Sequence, residues 1–141
     1  MKRVYLAGPF FNETEVKNIE YAESVLEGRG FDLFVPMRHE VRTETGTVQW
    51  ARDIFEMDRS EIDKADVVVM LYYGVYSDSG TAWECGYAYA KGVPVVVVHA
   101  DEAADSNLMV HIGCASNISL GDLPTYDFDA LPRFEYTGDM L

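Results

Sequence analysis

Two uninterrupted apolar runs, Val67 to Tyr73 and Val93 to Val98, constrain this chain more than any other feature. A strand with one wet face alternates apolar and polar residues, so a continuous run calls for cover on both faces. Each run follows a segment of helical character. Ahead of the first, the spacing predicts a helix from about Val48 to Lys64, with Trp50, Ile54 and Met57 on one side. Ahead of the second, a small-residue helix is expected from about Thr81 to Lys91, ended by Gly92. Strands covered on both faces and separated by helices imply a parallel sheet with right-handed crossovers.

The start of the chain follows the same pattern. Val4-Tyr5-Leu6-Ala7 reads as a short buried strand ended by Gly8-Pro9. Asn12 is placed to cap a helix whose apolar positions are Val16, Ile19, Ala22 and Leu26, and Gly28 and Gly30 stop it. Phe31, Leu33 and Val35 alternate up to Pro36 as a second strand, and residues 37–46 form a polar loop, a candidate lid. Past His99 the pattern weakens to a short helix near Leu108 to Ile112, a strand around Asn117 to Leu120, and an irregular tail. At 141 residues and 48% hydrophobic content, residues 1–141 read as one α/β domain. Its expected architecture is a doubly wound parallel sheet with helices on both faces. Ligands of such sheets bind at the carboxyl ends of the strands, near a switch in strand order.

Charge narrows the partners. The formal net charge is −13, which repels polyanions and disfavours nucleic acid and anionic membranes. Neither apolar run approaches membrane-span length. The N-terminus turns polar at Asn12, too early for a signal peptide. Two isolated cysteines, Cys85 and Cys114, suit a reducing compartment. His39, His99 and His111 lack metal-ligand spacing, and no phosphate-binding glycine motif occurs. The expectation is a cytoplasmic protein without metal or cofactor that handles a small molecule of little charge.

The stretch from Ser77 to Ala88 holds the most chemistry. Glu84 is expected in the first turn or so of its helix, where the dipole favours an ionised carboxylate, the form a nucleophile needs. Asp78, six residues earlier in the turn, can fold over the same pocket, and two carboxylates there can divide attack from proton transfer. Spacing alone equally fits a surface glutamate and a turn-forming aspartate. The small residues Ala82, Gly86, Ala88 and Ala90 favour close packing that draws Glu84 towards the sheet. Asp58 reads equally as a solvated helix charge, and Tyr5 as a core aromatic with a satisfied hydroxyl. Asp66 reads as a structural acid at a strand start. Tyr72, Tyr73 and Tyr76 suit either packing or stacking on a base.

Together these residues resemble the nucleoside 2-deoxyribosyltransferase family. The matching segments are Tyr5 to Phe11, Asp58 with Ile62 and Ala65-Asp66, Asp78 to Ala88, and the tail Leu131 to Tyr136. The element Asp78-x-Gly80-x-x-x-Glu84-x-Gly86-Tyr87-Ala88 is the most specific. The resemblance implies a flavodoxin-like or Rossmann-like sheet and transfer of 2-deoxyribose between nucleobases through a covalent Glu84 ester. It implies that Asp78 and Asp58 hold or protonate the base, and that the Tyr5 hydroxyl orients Glu84. Gly8 and Phe10 fall in the substrate-binding set. Asn117 is matched to a residue that a neighbouring subunit donates to the sugar 5′-hydroxyl. The family is usually a homohexamer, built from dimers, without metal or cofactor, acting on 2′-deoxynucleosides and free bases. Tyr126, Phe128, Phe134 and Tyr136 are therefore expected between subunits.

Two alternatives stay open on the sequence: hydrolysis of 2′-deoxynucleoside 5′-monophosphates, and a non-catalytic nucleotide-binding domain on the same fold. The first needs donors for a dianion, and the second gains little from three carboxylates.

Overall fold

A computed structural model of the protein describes residues 1–74, 77–102 and 105–141. The elements are β1 (Arg3–Ala7), α1 (Glu13–Gly28), β2 (Asp32–Phe34), α2 (Val48–Lys64), β3 (Val67–Tyr72), α3 (Ser79–Ala90) and β4 (Val95–His99). They continue with β5 (Asp105–Ser106), α4 (Leu108–Gly113), β6 (Ser116–Ser119) and β7 (Asp139–Met140). Among the described residues, five strands form one sheet in the order β2-β1-β3-β4-β6, with all pairs parallel. The mixed α/β architecture with helices flanking a parallel sheet is the one expected.

The period-two alternation of a strand sorts the core into two layers. Val4, Leu6, Val67, Val69, Leu71, Val96 and Val98 face α1, meeting Ile19, Ala22 and Leu26. Tyr5, Ala7, Val68, Met70, Tyr72, Val95 and Val97 face the other way, against Ile62 of α2 and Cys85 and Ala88 of α3. All six residues of β3 are buried. Its apolar run is continuous because neither face meets water.

Local chemistry sets the boundaries. Asn12 accepts a hydrogen bond from the Glu15 amide and starts α1, and Thr47 does the same for Trp50 at α2. Asp66 accepts from the Arg3 amide at 2.7 Å, tying the start of β3 to β1, which is the structural role its position suggested. Gly8 follows β1 in a tight spot, where a Cβ would sit 3.1 Å from Leu71 Cβ.

The last quarter departs from expectation in two ways. Tyr126 and Phe128 are buried in the chain's own core on the α1 side, at 5% and 1% exposure, where Arg29 donates to the Leu123 and Tyr126 carbonyls. They complete a layer that α1 alone leaves open, so they are not available to a neighbouring subunit. The tail also ends in order: β7 pairs in parallel with β5, two short strands too small for a sequence pattern to reveal. No helix among the described residues is long and apolar enough to cross a membrane.

Candidate active site

The strand order reverses between β1 and β3, and a cleft of about 490 Å³ opens there. That volume lies within the range of small-molecule pockets. The segment after β1 contributes Gly8, Phe10 and Phe11. The loop after β2 contributes Met37, His39 and Glu40, and the start of α3 contributes Asp78, Thr81 and Glu84. Asp58 joins them from α2. Six of the seven expected site residues therefore converge, counting Tyr5 through its bond to Glu84.

Asp78 is the N-cap of α3: its Oδ2 accepts from the Thr81 amide at 2.9 Å and the Thr81 hydroxyl at 2.8 Å. The cap starts the helix at Ser79, two residues earlier than its small-residue pattern indicates. Glu84 consequently stands in the second turn rather than the first, where the helix dipole has faded. Burial then decides its charge. It raises the Glu84 carboxyl to about 8; Asp58 and Asp78 reinforce that, and the hydrogen bond from the Tyr5 hydroxyl opposes it. Burial thus works against the ionised state that the expected first-turn position implied.

Tyr5 lies on the buried face of β1 and donates its phenolic proton to Glu84 Oε2. Burial and the nearby Glu84 and Asp58 push its own ionisation far upward, so it remains a donor throughout. Asp58 is raised to about 6 by burial, and its Oδ1 is buried with no hydrogen-bond partner among the described residues. A buried acceptor left open at a cleft is costly unless a ligand completes it.

Several residues gain a role the sequence did not reveal. Trp50, Ile54 and Met57 line the cleft, and Ile62 alone on α2 is fully buried. Their helical spacing marks an apolar face but cannot tell a core from a pocket wall. His39, weighed only for metal spacing, also lines the cleft. Tyr76 lies outside the described residues.

Asn117 is not brought to the cleft. It sits on β6 at 7% exposure, its amide oxygen accepting from His99 Nε2 at 3.1 Å and His111 Nδ1 at 2.8 Å. Its amide nitrogen donates to the Phe134 carbonyl and the Cys114 sulfur. Tyr136 stacks on His111 with ring centroids 4.2 Å apart. This amide serves as an internal hub that ties β4, α4 and the tail together.

A parallel α/β sheet with a half-buried, tyrosine-bonded carboxylate at its switch point defines a class: α/β enzymes that keep their acids in a ligand cleft. Comparison with known proteins narrows it. A sequence profile of the nucleoside 2-deoxyribosyltransferase family matches residues 4–117. The solved 2-deoxyribosyltransferase from the psychrotolerant bacterium Bacillus psychrosaccharolyticus is 33% identical, covers 95% of this chain and 98% of that one, and has a TM-score of 0.84. A conserved protein from Enterococcus faecalis V583 is 30% identical over 72% of this chain and 65% of its own, with a TM-score of 0.62. A CMP N-glycosidase from Clostridium botulinum, 23% identical over 84% of this chain and 88% of its own with a TM-score of 0.60, shares the fold. Comparison with curated proteins gives no match. The chain belongs to the nucleoside 2-deoxyribosyltransferase family and is an enzyme of that family.

Proposed function

We propose that this enzyme transfers 2-deoxyribose between nucleobases through a covalent ester on Glu84, with residues 1–141 acting as one catalytic domain. The observation that carries the reading is the Tyr5–Glu84 hydrogen bond at a cleft that Asp58, with an unpartnered buried oxygen, also lines. In the first half-reaction a Glu84 oxygen bonds to the anomeric carbon while the bond from that carbon to the base nitrogen breaks. The base leaves with the electron pair and takes a proton from Asp58 or Asp78. In the second half, an incoming base loses its proton to the same acid and displaces Glu84. Tyr5 stabilises the ionised carboxylate on either side of the ester. Glu84 and Asp58 are both raised by burial and interact, so one proton can reside on Asp58 while Glu84 is ionised. Phe10 and Gly8 bound the space for the substrate.

The substrate in this reading is an uncharged 2′-deoxynucleoside. Glu40, Asp58, Asp78 and Glu84 line the cleft, and no lysine or arginine does so among the described residues. A 5′-phosphate would find no lysine or arginine there among the described residues, which disfavours the monophosphate hydrolase.

The family resemblance would send Asn117 to a neighbouring subunit's sugar. The Asn117 amide already makes four hydrogen bonds inside the chain, so we assign this residue to holding the tail. Self-association itself is supported by another surface. Tyr89, Leu108, Met109 and Ile112 are exposed and line an apolar groove of about 630 Å³ between α3 and α4.

The deciding experiment incubates the enzyme with deoxyinosine, with and without cytosine, and separates products by chromatography. Deoxycytidine formed only with cytosine is expected. Release of free deoxyribose at the same rate without any acceptor would refute the transferase.

A further inference from the structure

Between the catalytic pair and the candidate lid stands a ring that the proposed chemistry does not use. Tyr5 and Phe34 are directly paired across the parallel β1–β2 ladder. A cross-strand pair on one face of a sheet brings its side chains together, and the two rings stack with centroids 5.6 Å apart and planes 21° apart. Immediately after β2 the chain tightens into a short 3-10 turn, Pro36–Arg38. Arg38 donates to both carboxylate oxygens of Glu23, which pins the turn to α1. The His39 amide donates back to the Pro36 carbonyl. This reversal lays the His39 ring on the other side of Phe34, 4.3 Å between centroids and 12° between planes. His39 itself is exposed and lines the cleft. The result is a column of three rings from the cleft-lining loop to the residue that bonds the carboxylate.

We propose that Phe34 is a positioning residue of the reaction, and that the column His39–Phe34–Tyr5 couples the seating of the 39–46 loop to the hydrogen bond between Tyr5 and Glu84. The inference rests on the proposed role of Glu84 as nucleophile. Phe34 touches neither substrate nor reacting atoms. It confines the Tyr5 ring from the side opposite the sheet interior, and His39 closes the column when the loop lies down. A phenol free to rock about its χ angles keeps its packing but spends less time aimed at Oε2. The Tyr5 bond is what holds the Glu84 carboxyl down against the raising effect of burial, so loosening the column must show in the acid limb of the pH–rate profile.

The test compares Phe34→Leu, Phe34→Tyr, His39→Ala and His39→Phe with the wild type, following kcat and KM for deoxyinosine and cytosine against pH, with Tm beside each. Phe34→Leu should move the acid limb upward by about one unit, a roughly tenfold loss at low pH that closes at high pH. Phe34→Tyr keeps the ring and should restore the wild-type limb. His39→Ala should raise KM several-fold and shift the limb in the same direction by less. His39→Phe keeps the stack without the nitrogens and should recover most of both effects. Phe34→Leu with a lower Tm but an unmoved limb would make Phe34 a packing residue and overturn the proposal. Equal loss in His39→Ala and His39→Phe would place His39 on the substrate through its nitrogens and break the column. Should Phe34→Leu fail to fold, the exposed His39 pair still decides. Failure of the Glu84 reading shows separately, as a folded Glu84→Ala enzyme that retains transfer.

Discussion

The Tyr5 hydroxyl donates to Oε2 of Glu84 across 79 residues of sequence, from the middle of the first strand to the second turn of α3. Neither residue identifies itself locally, since one reads as a core aromatic and the other as a helix carboxylate. The bond between them brings both to one cleft, where the proposed reaction makes them a unit.

Removing the carboxylate should therefore stop the reaction. Glu84→Ala is expected to lose at least ~10³-fold in deoxyribosyl transfer, the scale at which a member of a catalytic unit fails. A folded variant that keeps a tenth of wild-type turnover would exclude Glu84 as the nucleophile.

The same residue should govern stability against pH. Its carboxyl is raised from 4.5 to about 8 in the folded chain, so over that interval the native state holds a proton the unfolded chain has lost. Stability is fully present below about 4.5 and falls as pH climbs through 8. Asp58, raised to about 6, adds the same slope at the acidic end of the window. Glu84→Gln cannot ionise, so it should melt above the wild type at pH 9 and converge with it near pH 4. A constant offset in Tm at every pH would contradict this account.

Asp78 caps α3, and substitutions can separate that role from the proposed proton transfer. Asparagine caps a helix about as well as aspartate, so Asp78→Asn should melt near the wild type, while Asp78→Ala should lose about 1 kcal/mol. Both should lose ~10²–10⁴-fold in turnover if Asp78 supplies the proton. The deficit should shrink for a nitrophenyl deoxyriboside, whose leaving group needs no proton. Equal deficits on natural and activated substrates would remove the acid role.

Discrimination should follow charge and sugar. Deoxyadenosine should exceed its 5′-monophosphate in kcat/KM by ~10²-fold or more, the scale of 2–5 kcal/mol for a charge brought to a site without its partner. Adenosine should also be poor, because its 2′-hydroxyl withdraws electrons from the cationic transition state. Competition assays with equimolar pairs measure both ratios, and parity in either counts against the nucleoside reading.

The apolar groove between α3 and α4 should disappear into an interface. Met109→Glu places a charge on a side chain that is 75% exposed, too exposed to matter to the fold of one chain. It should shift the sedimentation coefficient towards that of a monomer without lowering Tm at high dilution. An unchanged oligomer would locate the interface elsewhere.

Much of this was legible in the sequence, for physical reasons. Continuous apolar runs meant strands covered twice, and Asn12 and the Val48-to-Lys64 pattern marked α1 and α2 because caps and periodicity are local signals. What escaped depended on distance. The small residues around Glu84 hinted at its burial, but the groups that tune its carboxyl, Tyr5 and Asp58, come from separate elements. The hydrogen bonds of Asn117 come from His99, His111 and the tail, which only the folded sheet assembles. Trp50, Ile54 and Met57 showed their stripe but not whether protein or an open cleft lay opposite.

The strand order has a consequence for how the chain is made. β3 is inserted between β1 and β4, so when β1, α1 and β2 emerge during synthesis, the inner edge of β1 has no partner. That edge carries Val4, Tyr5, Leu6 and Ala7, all buried once folding is complete. It waits about 60 residues, through the whole of α2, before Val67 to Met70 arrive. At about 5–20 residues per second, the wait lasts several seconds. An unpaired apolar edge over that time is the point at which this fold is most exposed to pairing with another chain, and the strand so exposed is the one that carries Tyr5.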